Sequence, residues 1–396
     1  MMKHTLGPLL LGTSLLALPA SAEELKIGIL FGFTGPIESL TPPMADGAEL
    51  AMKEVSDSGL LLDGATVSSV RGDSTCVDAS AATAAAERLV TVDRIVALIG
   101  ADCSGVATAV LNNVAVPNNI LMISPSATTP ALSSDSDKGL FFRTAPSDAR
   151  QGELLAKVLT DRGIKTVAVT YTNNDYGKGF ADAFDAAFKA AGGMVTLVAP
   201  HDDGKADYSA EVSALSVAGG EALVVLGYSD QGGNGIIRAS LDSGSFDRFA
   251  VGDGMHSEKL MADFGPDLQI FGTVPWTVGD GSEKFTAYAT AAGKNADSSF
   301  VRESYDAAAL ILLAIQQAGD PAKAYEHVME VANAPGEKIY PGELAKGLQI
   351  LKDGGDVDYV GGSDVEMIGN GESAGSYREF ENKGGKFETV RMLGAE

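Results

Sequence analysis

RIVALIGADCSGVATAVLNNVAVPNNILMISPSATTP, residues 94–130, carries the pattern that decides the fold. Residues 94–101 are a short apolar run, 104–115 space Val, Ala and Leu as one helix face does, and 120–124 are apolar again. Short apolar runs bounded by polar loops read as strands buried on both faces. Strand, helix and strand in succession make the unit of a parallel α/β sheet. The stretch ends on Ser124, Ser126, Thr128 and Thr129, set between Pro125 and Pro130. Proline fixes its own φ and biases its predecessor toward extended backbone, so this loop does not continue as helix. Ser, Thr and Pro form turns in any protein, yet four hydroxyls leaving a core can also face something polar. The loop alone allows both.

Outward from that stretch the unit recurs. Upstream, 25–33 (LKIGILFGF) and 65–73 (ATVSSVRGD) are strand-like, and 44–57 (MADGAELAMKEVSD) and 79–90 (ASAATAAAERLV) are helical. GLFFRTAPSD (139–148) interrupts the rhythm, and a second strand–helix series runs from 148 to 254. FGTVPW (271–276) leads into a mainly helical region, 282–354, and the tail from Asp356 returns to short strand-like pieces. No linker and no short-period repeat divides the chain. Two α/β lobes without a linker, followed by helices and a β tail, imply a chain that crosses between lobes more than once.

The length, 396 residues, accommodates two ordinary domains. With 45% hydrophobic and 21% charged residues, the composition is globular. A net charge of -24 argues against nucleic acid or an anionic membrane surface as partner, since both select Lys/Arg-rich patches. Residues 1–22 read as a cleavable export signal: Lys3, an apolar run from Leu6 to Leu18, then the small residues Ala20-Ser21-Ala22. That run is short for a membrane span, so an exported mature chain, not inserted in the membrane, is expected. In an oxidising compartment Cys76 and Cys103 are expected to form a disulfide rather than a metal or redox site. His4, His201, His256 and His327 are scattered and give no metal pattern.

Ligands of open α/β sheets sit beyond the carboxyl ends of the strands. Six such segments stand out: 33–40 (FTGPIESL), 101–105 (ADCSG), 124–130 (SPSATTP), 172–177 (TNNDYG), 227–233 (GYSDQGG) and 252–256 (GDGMH). For each alone, loop solvation accounts for the polarity; together they point to a shared cleft. Ser104 opens a predicted helix, either as an ordinary cap or as one donor, with the free amides beside it, for a carboxylate. Ser126, Ala127 and Thr128 add hydroxyl and amide donors. Asp253, between two glycines, is a turn residue or an acceptor for an ammonium group, with Tyr228 and Tyr176 as packing or covering aromatics. No G-x-S-x-G, H-E-x-x-H or phosphate-binding loop is present, and GNGESAG (369–375) lacks the helix that a dinucleotide site needs. No catalytic residue, cofactor or metal is therefore assigned.

Taken in order, Thr34-Gly35-Pro36 after the first strand, the GDSTC…GADCSG pair, LMISPSATTPAL, NNDYGKGF and Tyr228 with Asp253 make the chain resemble a known family. It is similar to the periplasmic solute-binding proteins of ABC transporters of the leucine/isoleucine/valine-binding type. The resemblance spans the mature chain and makes its compartment the periplasm. It implies two Rossmann-like lobes with parallel central sheets, a three-strand hinge, and a cleft that closes on its ligand. Lobe one is expected over 23–143 plus 274–373, and lobe two over 144–273 plus 374–396. The same resemblance places the carboxylate of an L-amino acid on Ser104, Ser126, Ala127 and Thr128. It places the amine on Asp253 with Tyr228, and Tyr176 as the covering ring. Relatives often carry Glu at the amine position; Asp is shorter by one methylene. Glu38, Leu40, Asp102 and Phe300 are candidate specificity residues, and carboxylates at 38 and 102 facing the cleft would suit a polar or basic side chain. The expected partners are permease subunits, and the expected state is a monomer. Rival readings are the same fold holding an amide, urea or aromatic acid, a module serving a chemoreceptor, or an exported enzyme.

Overall fold

The computed structural model describes residues 23–133 and 137–394; the export signal read at 1–22 lies outside them. Five strands come first: β1 (Glu24–Phe31), β2 (Thr66–Asp73), β3 (Ala97–Gly100), β4 (Leu121–Ser124) and β5 (Phe141–Arg143). Five more follow: β6 (Thr166–Thr172), β7 (Met194–His201), β8 (Ala222–Leu226), β9 (Arg248–Val251) and β10 (Gln269–Pro275). The remainder are β11 (Glu337–Ile339), β12 (Val357–Tyr359), β13 (Met367–Ile368), β14 (Glu372–Ser373), β15 (Tyr377–Lys383) and β16 (Lys386–Leu393).

They build two seven-stranded sheets, ordered β13-β14-β5-β4-β3-β1-β2 and β16-β15-β10-β9-β8-β6-β7. In each, the five central and far-edge strands are parallel, and the tail adds an antiparallel pair: β13 against β14, and β15 against both β10 and β16. The apolar runs are continuous because helices cover both faces: β3, β4 and β8 are buried at every residue. The chain passes between sheets three times, between β5 and β6, between β10 and β13, and between β14 and β15. The fold is thus the two-lobed α/β architecture expected.

Helix Val301–Ala318, from the helical region after β10, is buried from Val301 through Ile315 and packs against helix Thr41–Ser58. Close approach there needs Gly47, where a Cβ would stand 2.4 Å from the Val301 carbonyl oxygen. Two details differ from the sequence reading. The interruption at 139–148 contains β5, a strand of three residues too short to stand out as a run. β14 lies inside GNGESAG, where two residues pair beside β5 without any apolar pattern. Cys76 and Cys103 are joined, tying the segment after β2 to the one after β3.

Candidate functional site

Strand order places the site. In the first sheet β1 lies between β2 and β3, so the connections leaving β1 and β3 diverge to opposite faces and open a crevice. In the second sheet β6 lies between β7 and β8, and the same divergence occurs after β6 and β8. The two crevices face one another. All six segments singled out by sequence reach the cleft between them, whose interior free space is only about 20 Å³.

The first lobe supplies hydroxyl chemistry on a braced frame. Ser104 starts helix Ser104–Val110, and its Oγ accepts from the amides of Thr128 (3.2 Å) and Thr129 (3.1 Å). Its own hydrogen is left for another acceptor. Ser126 lines the cleft, but its hydroxyl donates to the Asp102 carbonyl at 2.9 Å. Ser124 donates to the Ala101 carbonyl at 2.6 Å and accepts from the Ala127 amide at 3.0 Å. The hydroxyls of Ser124 and Ser126 thus brace two loops against one another. Ala127 and Thr128 are fully buried behind the cleft wall. Arg143, also fully buried, donates to the carbonyls of Ala127 (3.2 Å) and Thr129 (2.9 Å) and pairs with Glu372 at 3.1 Å.

Asp102 lines the cleft, yet both its oxygens are taken, by the Gly32 amide at 2.6 Å and the Ser74 hydroxyl at 2.8 Å. Burial pushes its carboxyl up to about 6, against those hydrogen bonds. Glu38 is exposed. Ile37, Leu40, Met44 and Phe300 make the remaining first-lobe wall apolar. Phe300 holds a left-handed backbone, φ 61°, a conformation that bulky side chains seldom adopt.

The second lobe supplies aromatic and acidic chemistry. Asn174 caps helix Asp175–Ala190 by accepting from the Gly177 amide, and its Nδ2 donates to the Tyr228 hydroxyl at 3.2 Å. Tyr176, in that helix's first turn, stacks on Tyr228 with ring centroids 5.3 Å apart. The Tyr176 hydroxyl donates to Asp253 Oδ1 at 3.1 Å and accepts from the Gly254 amide at 3.2 Å. The flanking glycines are required here: a Cβ at 252 would lie 2.4 Å from the Phe180 ring, and one at 254 would lie 2.6 Å from the Gly227 carbonyl oxygen. Asp253 is buried, and burial pushes its carboxyl up to about 6, with Tyr176 and Gln151 among the groups pulling it down.

Sequence reasoning passed over Asp148. It opens helix Asp148–Asp161, has no exposed surface, and neither carboxylate oxygen meets a hydrogen-bond partner. Burial, followed by the charge of Asp253, holds it well above the ordinary carboxylate range; Thr128 and Arg143 pull the other way. Asp253 at the cleft thus interacts with a second buried carboxyl that does not itself line it. Asp148 sits in the sequence as an unremarked first-turn acid, and Arg143 shows only as a charge ending an apolar run. At the mouth, the lobes touch: the Asp230 amide donates to the Pro36 carbonyl at 3.1 Å, and Ser39 bonds to the Asp230 carboxylate.

Among the described residues, no group of three or more His, Cys, Asp or Glu is arranged to hold a metal ion. No helix there is long and apolar enough to cross a membrane.

Known proteins with the same pattern are numerous. The chain is 29% identical over 312 residues to the leucine-, isoleucine-, valine-, threonine- and alanine-binding protein of Pseudomonas aeruginosa, covering 77% of this chain and 82% of that one. It is 30% identical over 305 residues to Leu/Ile/Val-binding protein homolog 3 of Brucella melitensis, covering 76% and 81%. The leucine-binding protein LivK of Thermotoga maritima shares the fold with a TM-score of 0.78 at 22% identity, over 94% of this chain and 99% of that one. LivJ of Streptococcus pneumoniae, solved with isoleucine, aligns over the same shares with a TM-score of 0.75 at 20% identity. The family model described as periplasmic binding protein matches residues 24–334. With its two facing lobes and a cleft lined from both, this chain belongs to the periplasmic binding protein family.

Proposed function

We propose that the protein is the substrate-binding component of an ABC importer and takes an L-amino acid with an aliphatic side chain between its lobes. One observation carries this reading: Asp253 on one lobe and the start of the Ser104 helix on the other stand at the same small cleft, whose remaining wall is apolar. Ser104, with the free amides at its helix start, receives the ligand carboxylate, helped by the backbone of Ser126. Asp253 accepts the ammonium group, backed by Asp148, and Tyr176 and Tyr228 cover the ligand from the second lobe. Ile37, Leu40, Met44 and Phe300 receive the side chain. Asp102 has both oxygens committed, and Glu38 points outward, so neither recommends a basic ligand.

Function then follows from population shift. A ligand that contacts both lobes binds the closed arrangement better and raises its share. The three connections between sheets act as the hinge, dividing the chain into 23–143 plus 274–373 and 144–273 plus 374–396. A permease reads the closed form. Export to the periplasm through residues 1–22 and a monomeric state belong to the same reading, which also assigns no catalysis. Relatives named for leucine, isoleucine and valine support the ligand class.

The test is thermal unfolding of the refolded mature chain against the standard L-amino acids, urea, short amides and aromatic acids. Refolding removes any ligand retained from the cell. A native-state ligand raises the midpoint according to its concentration over its dissociation constant. Shifts confined to aliphatic amino acids support the reading. A response to amides or aromatic acids alone would overturn the role of Asp253 and leave the fold untouched.

A further inference from the structure

Beyond Leu40, which it shares with the cleft, lies a second cavity of about 680 Å³. Its walls come from both lobes and from the connections between them. Ser298 and Ser299 precede helix Val301–Ala318, while His256, Met261 and Phe387 belong to the second lobe. Trp276 and Arg378 stand where the chain leaves β10 and enters β15.

Arg378 is 9% exposed. Its guanidinium lies 3.5 Å from the centroid of the Trp276 ring. Nη1 donates to the Thr389 hydroxyl at 3.1 Å, and Nη2 donates to His256 Nε2 at 2.9 Å. That contact fixes the imidazole tautomer: Nε2 accepts, so Nδ1 carries the hydrogen and donates to Ser299 Oγ at 2.8 Å. Burial, with Arg378 alongside, keeps His256 well below its ordinary value and therefore neutral. A second guanidinium, Arg302, lies 4.2 Å from the same Trp276 ring and meets Asp297 only at 3.8 Å.

Among the described residues, Arg378 makes no ion pair within 4.0 Å, and its Nε has no partner. Burial and Arg302 pull Arg378 down to about 10, which leaves it charged at neutral pH. Asp297 acts favourably on it only from a distance; a buried cation without a paired counter-charge is costly, and the neighbouring cation adds to the cost. Glu258 and Asp297 are exposed acids at the rim, and Lys386 is an exposed base there. One wall is flat and apolar: the His256 and Phe387 rings stack with centroids 4.7 Å apart, beside Met261 and Trp276, while Ser298 and Ser299 line the cavity opposite the second lobe.

We propose that this cavity is a second binding site, for a small carboxylate with a flat apolar body, whose charge is neutralised by Arg378. The carboxylate pairs with the Arg378 guanidinium at the cavity wall, and the body lies among Trp276, Phe387 and Met261. A bare halide or phosphate satisfies the charge and leaves the apolar walls unfilled.

Calorimetric titration of the mature chain with benzoate, and with benzamide as its uncharged counterpart, tests this. Saturable benzoate binding with benzamide at least tenfold weaker is expected. Arg378→Gln should weaken benzoate at least tenfold. Because Arg378 braces the hinge, Ala262→Trp serves as a second variant. It fills the cavity from an exposed position on helix Glu258–Phe264 and leaves Arg378 intact, and it should weaken benzoate equally. Ser104→Ala, in the interlobe cleft, should leave benzoate binding unchanged. No benzoate binding, equal binding of benzamide, or loss in Ser104→Ala with retention in Ala262→Trp would each overturn the proposal.

Discussion

Ser39 and Asp230 close the mouth of the cleft by a two-point contact across the lobes. The Ser39 amide donates to Asp230 Oδ2 at 2.8 Å, and its hydroxyl donates to Oδ1 at 2.9 Å. The Ser39 hydroxyl also meets that of Ser257, on the second lobe, at 3.1 Å. None of these groups reaches the ligand space, so the contact belongs to the closed arrangement itself.

Asp230→Ala removes both acceptors while leaving each lobe's core intact. Ligand affinity is expected to fall by roughly tenfold, about 1.4 kcal/mol, because the closed state loses two charge-assisted hydrogen bonds. Calorimetry reads the affinity, and the unfolding midpoint without ligand should barely move. Unchanged affinity would mean that these bonds contribute nothing to closure.

The proposed ammonium site at Asp253 predicts that binding depends on pH. Asp253 must be ionised to receive an ammonium group, and burial holds its carboxyl up to about 6. Below that value the free protein carries a proton that ligand expels, so affinity falls about tenfold per pH unit as pH drops. Stability of the ligand-free chain runs the opposite way for this group. Its raised value favours the fold below the unfolded value of 3.8, and that contribution is lost as pH rises through about 6. Titrations near that pH in buffers of different ionisation enthalpy should report proton release on binding; its absence would remove Asp253 from the ammonium site. Asp253→Asn is expected to weaken binding more than a hundredfold, about 3 kcal/mol, with far-UV circular dichroism unchanged.

Arg143→Met tests the frame rather than the contacts. It leaves the carbonyls of Ala127 and Thr129 without their donor and Glu372 without its partner. A loss of about 3 kcal/mol in unfolding free energy is expected, read by urea denaturation. Ligand affinity should fall with it as the 124–130 loop loosens. A stable variant with full affinity would show that the other braces suffice.

Reduction of the Cys76–Cys103 bond frees a loop spanning 27 residues. The cost expected from loop entropy is about 2–4 kcal/mol, measured as a lower urea midpoint in reducing buffer. Since Cys103 precedes Ser104, ligand affinity should also decline. An unchanged midpoint would place the stability of this corner in the Asp102 hydrogen bonds instead.

Much of the site was legible because it rests on strand ends. Once alternating apolar runs identify strands, the segments after them are the ones that can meet, and Ser104, Tyr176, Tyr228 and Asp253 all lie there. The misses share a physical origin. Asp148 and Arg143 gain their character from burial and from neighbours distant in sequence: Asp148 from Asp253, Arg143 from Glu372 and two loop carbonyls. A charged letter in a sequence carries no sign of its depth. The hydroxyls of 124–130 were visible, but their partners were not: those of Ser124 and Ser126 brace the backbone of 101 and 102.

Local chemistry along the chain was enough to determine two parallel α/β lobes, the loops that face the cleft and the pairing of two cysteines. Periodicity and turn residues act over a few positions and survive in one dimension. Tertiary structure alone decided that Asp102 is spent on Gly32 and Ser74, that Glu38 faces outward, and that Asp148 stands beside Asp253. It alone left Arg378, among the described residues, without a carboxylate within ion-pair distance. Charge compensation depends on three-dimensional distance and on exclusion of water, and neither is written in the order of residues.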